Sequence, residues 1–184
     1  MKMDDTQVPT DRPPSLAAWR QALLFLFRVR VRYTSNALQA MTRPPCILTC
    51  NHVSMLDGVL VALASPAPMT FAVNVHHAQR HPATKAILAL LSRLGLGQVV
   101  ALDETRPSGM RHLLRALQDG QTVMIFPEGR ISEDGRQGES RPGLQWLQKK
   151  AQVPTLSLRI RGAQRSRLFA KAGTDWWPRI WLRF

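Results

Sequence analysis

Residues 46–64 read CILTCNHVSMLDGVLVALA. The run CILTC (46–50) reads as a short buried strand and DGVLVALA (57–64) as a helix. Between them NHVSMLD (51–57) places an Asn-His pair, and an Asp five residues after the His, where a strand hands over to a helix. Polar residues interrupt an apolar strand-to-helix transition when something there has to be bound or positioned.

The same alternation continues outward. TFAVN (70–74), QVVAL (98–102), TVMIF (122–126) and TLSLRI (155–160) read as strands, and RIWLRF (179–184) alternates as a final one. ATKAILALLSRLG and SGMRHLLRALQDG read as helices that end at Gly95 and Gly120, residues suited to a left-handed C-cap. Strands alternating with helices predict an α/β domain with a largely parallel central sheet flanked by helices. Ligands of such sheets sit outside the carboxyl ends of the strands. NHVSMLD falls there, and so does FPEGRIS (126–132) after TVMIF.

Three segments are expected in the chain. Residues 1–14, acidic and proline-bearing, read as a flexible tail without the apolar stretch of a signal peptide. Ser15 reads as the cap of an amphipathic helix over 15–40, apolar through Trp19, Leu23, Leu24, Phe25, Leu26 and Phe27, and basic at Arg28, Arg30 and Arg32. A helix greasy at one end and cationic at the other suits an anionic membrane surface; a core helix with a solvated end is the alternative. Residues 41–184 form the α/β domain. The charge-free segment Gly58 to Val75 reaches spanning length, but ASPAPMT at its centre breaks a continuous helix, so no spanning helix is expected.

The 184 residues carry a formal net charge of +13 and a sequence pI near 11.4. Such a surplus favours anionic partners: nucleic acid, acidic head groups, or phosphorylated and acidic carriers. Hydrophobic content of 45% excludes a mainly disordered chain. Cys46 and Cys50, about 13 Å apart along one strand at ~3.3 Å per residue, are too distant for a disulfide and are expected as buried thiols.

His52 lies in the turn and Asp57 in the first turn of the helix, so the turn can fold the imidazole back onto the carboxylate. A carboxylate that accepts from one ring nitrogen fixes the tautomer and leaves the other nitrogen as a base. A turn histidine satisfied by backbone groups is the bland reading of the same residues. No Gly-x-Ser-x-Gly elbow accompanies the pair. In FPEGRIS, Glu128 is expected to be exposed by the turn, Gly129 to let backbone approach a ligand, and Arg130 to offer a planar cation to a phosphate.

Taken together the two motifs resemble those of the glycerophospholipid acyltransferase family. Asn51, His52 and Asp57 match its Asn-His-x4-Asp block, and Phe126, Pro127, Glu128 and Gly129 its Phe-Pro-Glu-Gly block. More narrowly, HVSMLDG, VVALD and IFPEGRIS resemble the acyltransferase half of 2-acylglycerophosphoethanolamine acyltransferase/acyl-carrier-protein synthetases. Three positions depart from the pattern. Arg130 stands where a Thr is usual. ALDE (101–104) lacks the arginine that ends the second block, leaving Arg106 as a candidate substitute. Ser157 replaces the fourth block's proline.

The resemblance implies a lysophospholipid O-acyltransferase. His52 would be the general base and Asp57 its support. Asn51, Glu128, Gly129, Arg130 and Arg106 would hold the acceptor, and backbone amides near the helix start would stabilise the oxyanion. It implies no metal and no resident cofactor. The acyl chain would come on acyl-carrier protein or acyl-CoA, and the setting would be the cytoplasmic face of the inner membrane, as a peripheral or monotopic protein. An aminoacyl or ornithine lipid acceptor, or a non-catalytic basic membrane-binding module, are the alternatives.

From Arg159 to Lys171 there are five basic residues and no acidic one, followed by Trp176, Trp177 and Trp181. Cations beside tryptophans suit a head-group interface; a solvated face over core tryptophans is the alternative. No nucleic-acid-binding module is recognisable, and nucleic acid is not an expected partner. His76, His77 and His81 crowd one loop without carboxylate or cysteine at ligand spacing, and are expected at the mouth of the acyl channel rather than on a metal.

Overall fold

The computed structural model describes residues 9–10, 16–74, 89–102, 108–136 and 138–184. Its elements, in chain order, are β1 (Pro9–Thr10), α1 (Ala18–Leu26), β2 (Val29–Thr34), α2 (Ser35–Thr42), β3 (Ile47–Cys50), α3 (Asp57–Ala64) and β4 (Met69–Asn74). There follow β5 (Gly97–Leu102), α4 (Ser108–Gln118), β6 (Val123–Ile125), α5 (Pro142–Ala151), β7 (Thr155–Arg161) and β8 (Ile180–Arg183). One eight-stranded sheet runs in the order β1-β2-β8-β7-β3-β6-β4-β5. The pairs β2–β8, β7–β3, β3–β6, β6–β4 and β4–β5 are parallel, whereas β7–β8 and β1–β2 are antiparallel. The expected α/β class and the largely parallel sheet are therefore present.

Alternate strand residues feed two cores. Leu48, Cys50, Phe71, Met124, Leu158, Ile160, Ile180 and Leu182 pack with α1, α2 and α3 on one face. Ile47, Ala72, Val123 and Ile125 pack with α4 and α5 on the other. Period-two alternation sends neighbours to opposite faces, so ILTC, with all four residues buried, is covered on both. The predicted caps are also in place. Gly95 and Gly120 take φ of +66° and +78°, and each following amide bonds back to the helix, Leu96 to Leu91 and Gln121 to Ala116.

The helix expected over 15–40 is not formed. A nine-residue helix ends at Leu26, Arg28 turns the chain with φ of +52°, and VRVRYT continues as β2. The physical reason is period: Val29, Val31 and Tyr33 recur every second residue and face the core, while Arg30 and Arg32 face solvent. β2 then pairs with β8, about 150 residues away in sequence. Ser15, the expected cap, lies outside the described residues. The helix α5, which Pro142 opens at its first turn, has no counterpart among the expected elements.

α1 does have a visible task. Arg20 donates to the carbonyls of Leu63 (2.9 Å), Ala62 (2.7 Å) and Ser65, and Tyr33 Oη donates to Ala64 O at 2.6 Å. These donors satisfy carbonyls that the end of α3 leaves orphaned, with a cation at the negative end of the helix dipole. The opposite end of α3 is Asp57. Fixing one end of an eight-residue helix fixes the other. No helix among the described residues is long and apolar enough to cross a membrane.

Candidate active site

β3 and β6 are parallel neighbours, so their carboxyl ends lie side by side and bring the two motifs together. After Cys50 the chain turns through residues 51–56, and α3 starts at Asp57. Asp57 is fully buried. Its Oδ2 accepts from the amides of Val53 (2.6 Å) and Ser54 (2.8 Å), and Oδ1 accepts from Ser54 Oγ at 2.6 Å. His52 Nδ1 lies 3.0 Å from Oδ2. With the carboxylate as acceptor, Nδ1 carries the ring proton and Nε2 is left with its lone pair. The ring keeps 19% of its side-chain surface exposed while the carboxylate behind it has none. An oriented imidazole with a solvent-facing side is the geometry of a general base.

The second motif supports the first from below. The His52 ring stacks on Phe126 with centroids 4.1 Å apart and planes 18° from parallel. The His52 amide donates to Glu128 Oε1 at 3.3 Å, and Ser132 N donates to His52 O at 2.8 Å. Both backbone polar groups of His52 are thus held by the FPEGRIS segment. Glu128 was expected to be exposed, but it is 6% exposed and its carboxylate points inward. The turn bends back over the end of β3 and offers a donor there. An inward carboxylate without one would be costly. Glu128 Oε1 is thereby engaged with the backbone of His52.

Gly129 has φ of +66°, and a Cβ there would come 2.5 Å from Arg141 Nε. The space glycine leaves is filled by the Arg141 side chain, whose Nε donates to Glu128 O at 3.2 Å. Arg141 was not singled out from sequence: it lies in the polar stretch before α5, and only the fold brings it to the turn. Arg130 is exposed beside the turn. Arg106, His76, His77 and His81 lie outside the described residues. Among those that are described, no cluster of His, Cys, Asp or Glu could hold a metal.

Asn51 departs from expectation. Its Nδ2 donates to Ile160 O at 2.9 Å and its Oδ1 accepts from Ile160 N at 2.8 Å. The amide therefore continues the β3–β7 ladder one step past the strand end and closes the turn onto β7, in place of reaching a substrate. The turn amides are also spoken for. Those of Val53 and Ser54 go to Asp57, that of Met55 to Phe169 O, that of Leu56 to Ser54 Oγ and that of Asp57 to Ser54 O. The amides of residues 53–57 are thus engaged in shaping the turn.

Cys46 and Cys50 are free and buried, as expected. Burial pushes the Cys50 thiol well above its ordinary value, and the nearby carboxylates of Asp57 and Glu128 push it further, against a hydrogen bond from the Ile160 backbone. A thiol held protonated is a poor nucleophile.

The Acyltransferase family model matches residues 28–161, and this chain belongs to that family. The match runs from the first residue of the β2 turn to the last residue of β7 and includes both motifs. Among curated proteins, lyso-ornithine lipid O-acyltransferase of Rhizobium meliloti (strain 1021) is 31% identical over 120 residues, which are 64% of this chain and 38% of that protein. The chain thus spans well under half the length of that relative. Among solved structures, the 1-acyl-sn-glycerophosphate (LPA) acyltransferase PlsC from Thermotoga maritima superposes with a TM-score of 0.56. That match has 21% identity over 89% of this chain and 68% of that one, a likeness of fold.

Proposed function

We propose that the chain transfers a fatty acyl group from a thioester donor to the free hydroxyl of a lysolipid, with His52 as general base. The observation that carries the proposal is the 3.0 Å contact between His52 Nδ1 and the buried Asp57. In the reaction, Nε2 takes the hydroxyl proton as the oxygen attacks the thioester carbonyl. The tetrahedral carbon then expels sulfur, and the imidazolium returns the proton to the leaving thiolate. An ester and a free thiol result, and no acyl-enzyme forms, in keeping with the protonated Cys50 beside the pair.

The donor is an acyl-carrier protein or coenzyme A thioester, and the setting is the cytoplasmic face of the inner membrane, where the acceptor resides. Arg130, exposed at the turn, and Arg106 are the cations proposed for the acceptor's head group. Within this reading two observations favour a lyso-ornithine-type acceptor over lysophosphatidate: the relative that shares 31% identity is named for that lipid, and ALDE lacks the second-block arginine. A non-catalytic membrane-binding module is disfavoured by the pair itself, since a silent module needs no buried carboxylate behind a partly exposed imidazole.

Incubating the protein with acyl thioester and a mixture of lysophospholipids and lyso-ornithine lipid, followed by mass spectrometry of the lipids, tests the proposal. A product heavier by one acyl chain is expected, formed with equimolar free thiol. Thioester hydrolysis without any acylated lipid would refute it.

A further inference from the structure

The arginines expected on an N-terminal helix stand instead on a sheet, where β-strand register gives them a pattern. Arg30 of β2 pairs with Trp181 of β8, which pairs with Arg161 of β7. One step along, Arg32 pairs with Arg183, which pairs with Arg159. All six side chains are exposed, while between the rows Leu182 and Ile160 are buried and Val31 half-buried, packed on the core on the other side. Among the described residues, helices α4 and α5 cover this sheet face over β3, β6 and β4, and none covers it over β7, β8 and β2. The result is two rows about 7 Å apart, three strands wide at ~4.8 Å each, holding five arginines and one tryptophan. None of these three strands contains Asp or Glu. Like charges directly opposite across strands oppose sheet pairing.

The array runs up to an apolar rim. β8 is antiparallel to β7 and β2 is parallel to β8, so β2 and β8 begin at the sheet edge where β3 and β7 end. At that edge Phe25 is 86% and Trp176 61% exposed, next to exposed Leu26 and Trp177. Trp177 Nε1 donates to Leu26 O at 2.9 Å, Arg28 Nη1 donates to Trp177 O at 3.0 Å, and the Arg167 guanidinium lies 4.6 Å from the Trp176 ring. The catalytic turn joins the same edge through Met55, itself exposed, whose amide bonds to Phe169 O.

We infer that the open face of β2, β8 and β7, together with the rim of Phe25, Leu26, Trp176 and Trp177, is the surface that seats the protein on an anionic bilayer. The inference rests on the proposed lipid-acyltransferase activity and adds the docking surface. Guanidinium groups meet lipid phosphates and carboxylates, indoles sit at head-group level, and the aliphatic and phenyl tips reach the acyl boundary. A soluble acidic partner would satisfy the arginines but would leave the rim in water. Seated in this way, the edge that carries His52 faces the bilayer, and a lysolipid can present its hydroxyl without leaving the leaflet.

The test is flotation of the purified full chain with phosphatidylglycerol/phosphatidylcholine vesicles and with phosphatidylcholine vesicles, over a range of salt. Reversing the face (R30E/R32E/R183E) and making the rim polar (F25S/W176S) should each lower partitioning to anionic vesicles at least ~10-fold. R30K/R32K/R183K should stay within about twofold of wild type, and the neutral R30Q/R32Q/R183Q should fall between if charge reversal harms folding. Acylation of vesicle-borne lysolipid should fall in step with partitioning, while acylation of a short-chain monomeric lysolipid is unchanged. His52→Ala should float like wild type and acylate neither, which separates docking from chemistry. Wild-type flotation of the reversed and neutral variants would overturn the inference. So would intact flotation with a raised KM for a donor borne on an acidic carrier protein, which would assign the face to a protein partner.

Discussion

Nδ1 of His52 and Oδ2 of Asp57 are 3.0 Å apart, and the same Oδ2 also accepts the amides of Val53 and Ser54. One buried atom therefore shapes the turn and aims the ring. Asp57→Asn should damage both functions, since an amide cannot accept from all of these donors through one oxygen while its NH2 faces other donors. Turnover should drop by about 10²-fold or more, and stability by about 1–3 kcal/mol. Steady-state rates and a thermal melt measure the two losses.

Asn51 makes paired bonds to the Ile160 backbone. Asn51→Ala leaves that amide and carbonyl without partners, at a cost of about 2–4 kcal/mol. The expected result is a lowered Tm together with lower kcat. An unchanged Tm with a raised KM for the acceptor would instead make Asn51 a substrate ligand.

At Gly129, adding a methyl group meets Arg141 and forces a side chain into the left-handed region. Gly129→Ala should cost about 1–3 kcal/mol and displace the Glu128–Arg141 arrangement under His52. Arg141→Ala should mimic its effect on kcat without the backbone strain, a comparison that chemical denaturation and turnover together resolve.

Tyr33 gives a pH signature of the fold. Burial pushes its phenol up to about 12 from an ordinary 10, with Arg20 opposing. The folded state then holds the proton more tightly than the unfolded chain. Its contribution is complete below pH 10 and is lost as pH rises from about 10 to about 12. Tyr33→Phe should flatten part of the decline in Tm over that window, while lowering stability at neutral pH by about 1 kcal/mol through loss of the bond to Ala64 O.

Much of the sheet was legible because its signals are local. CILTC and DGVLVALA occupy the strand and the helix they read as, and Gly95 and Gly120 announce their caps. The VRVRYT strand was missed because its apolar neighbours upstream suggest a helix. What makes it a strand is a partner at the far end of the chain. The site was legible in its residue types and less so in their tasks. His52 and Asp57 meet as five-residue spacing across a turn allows. Glu128 turns inward, Asn51 is consumed by β7, and Arg141 enters from another element. Those outcomes depend on which backbone donors the fold brings near, and no local pattern records that.

The central claim is that His52 Nε2 removes the acceptor's proton, and single-turnover acyl transfer by His52→Ala tests it most directly. With saturating lysolipid and thioester the rate should fall by about 10²–10⁴-fold at an unchanged circular-dichroism melt. A folded His52→Ala protein that transfers the acyl chain at the wild-type rate would contradict it.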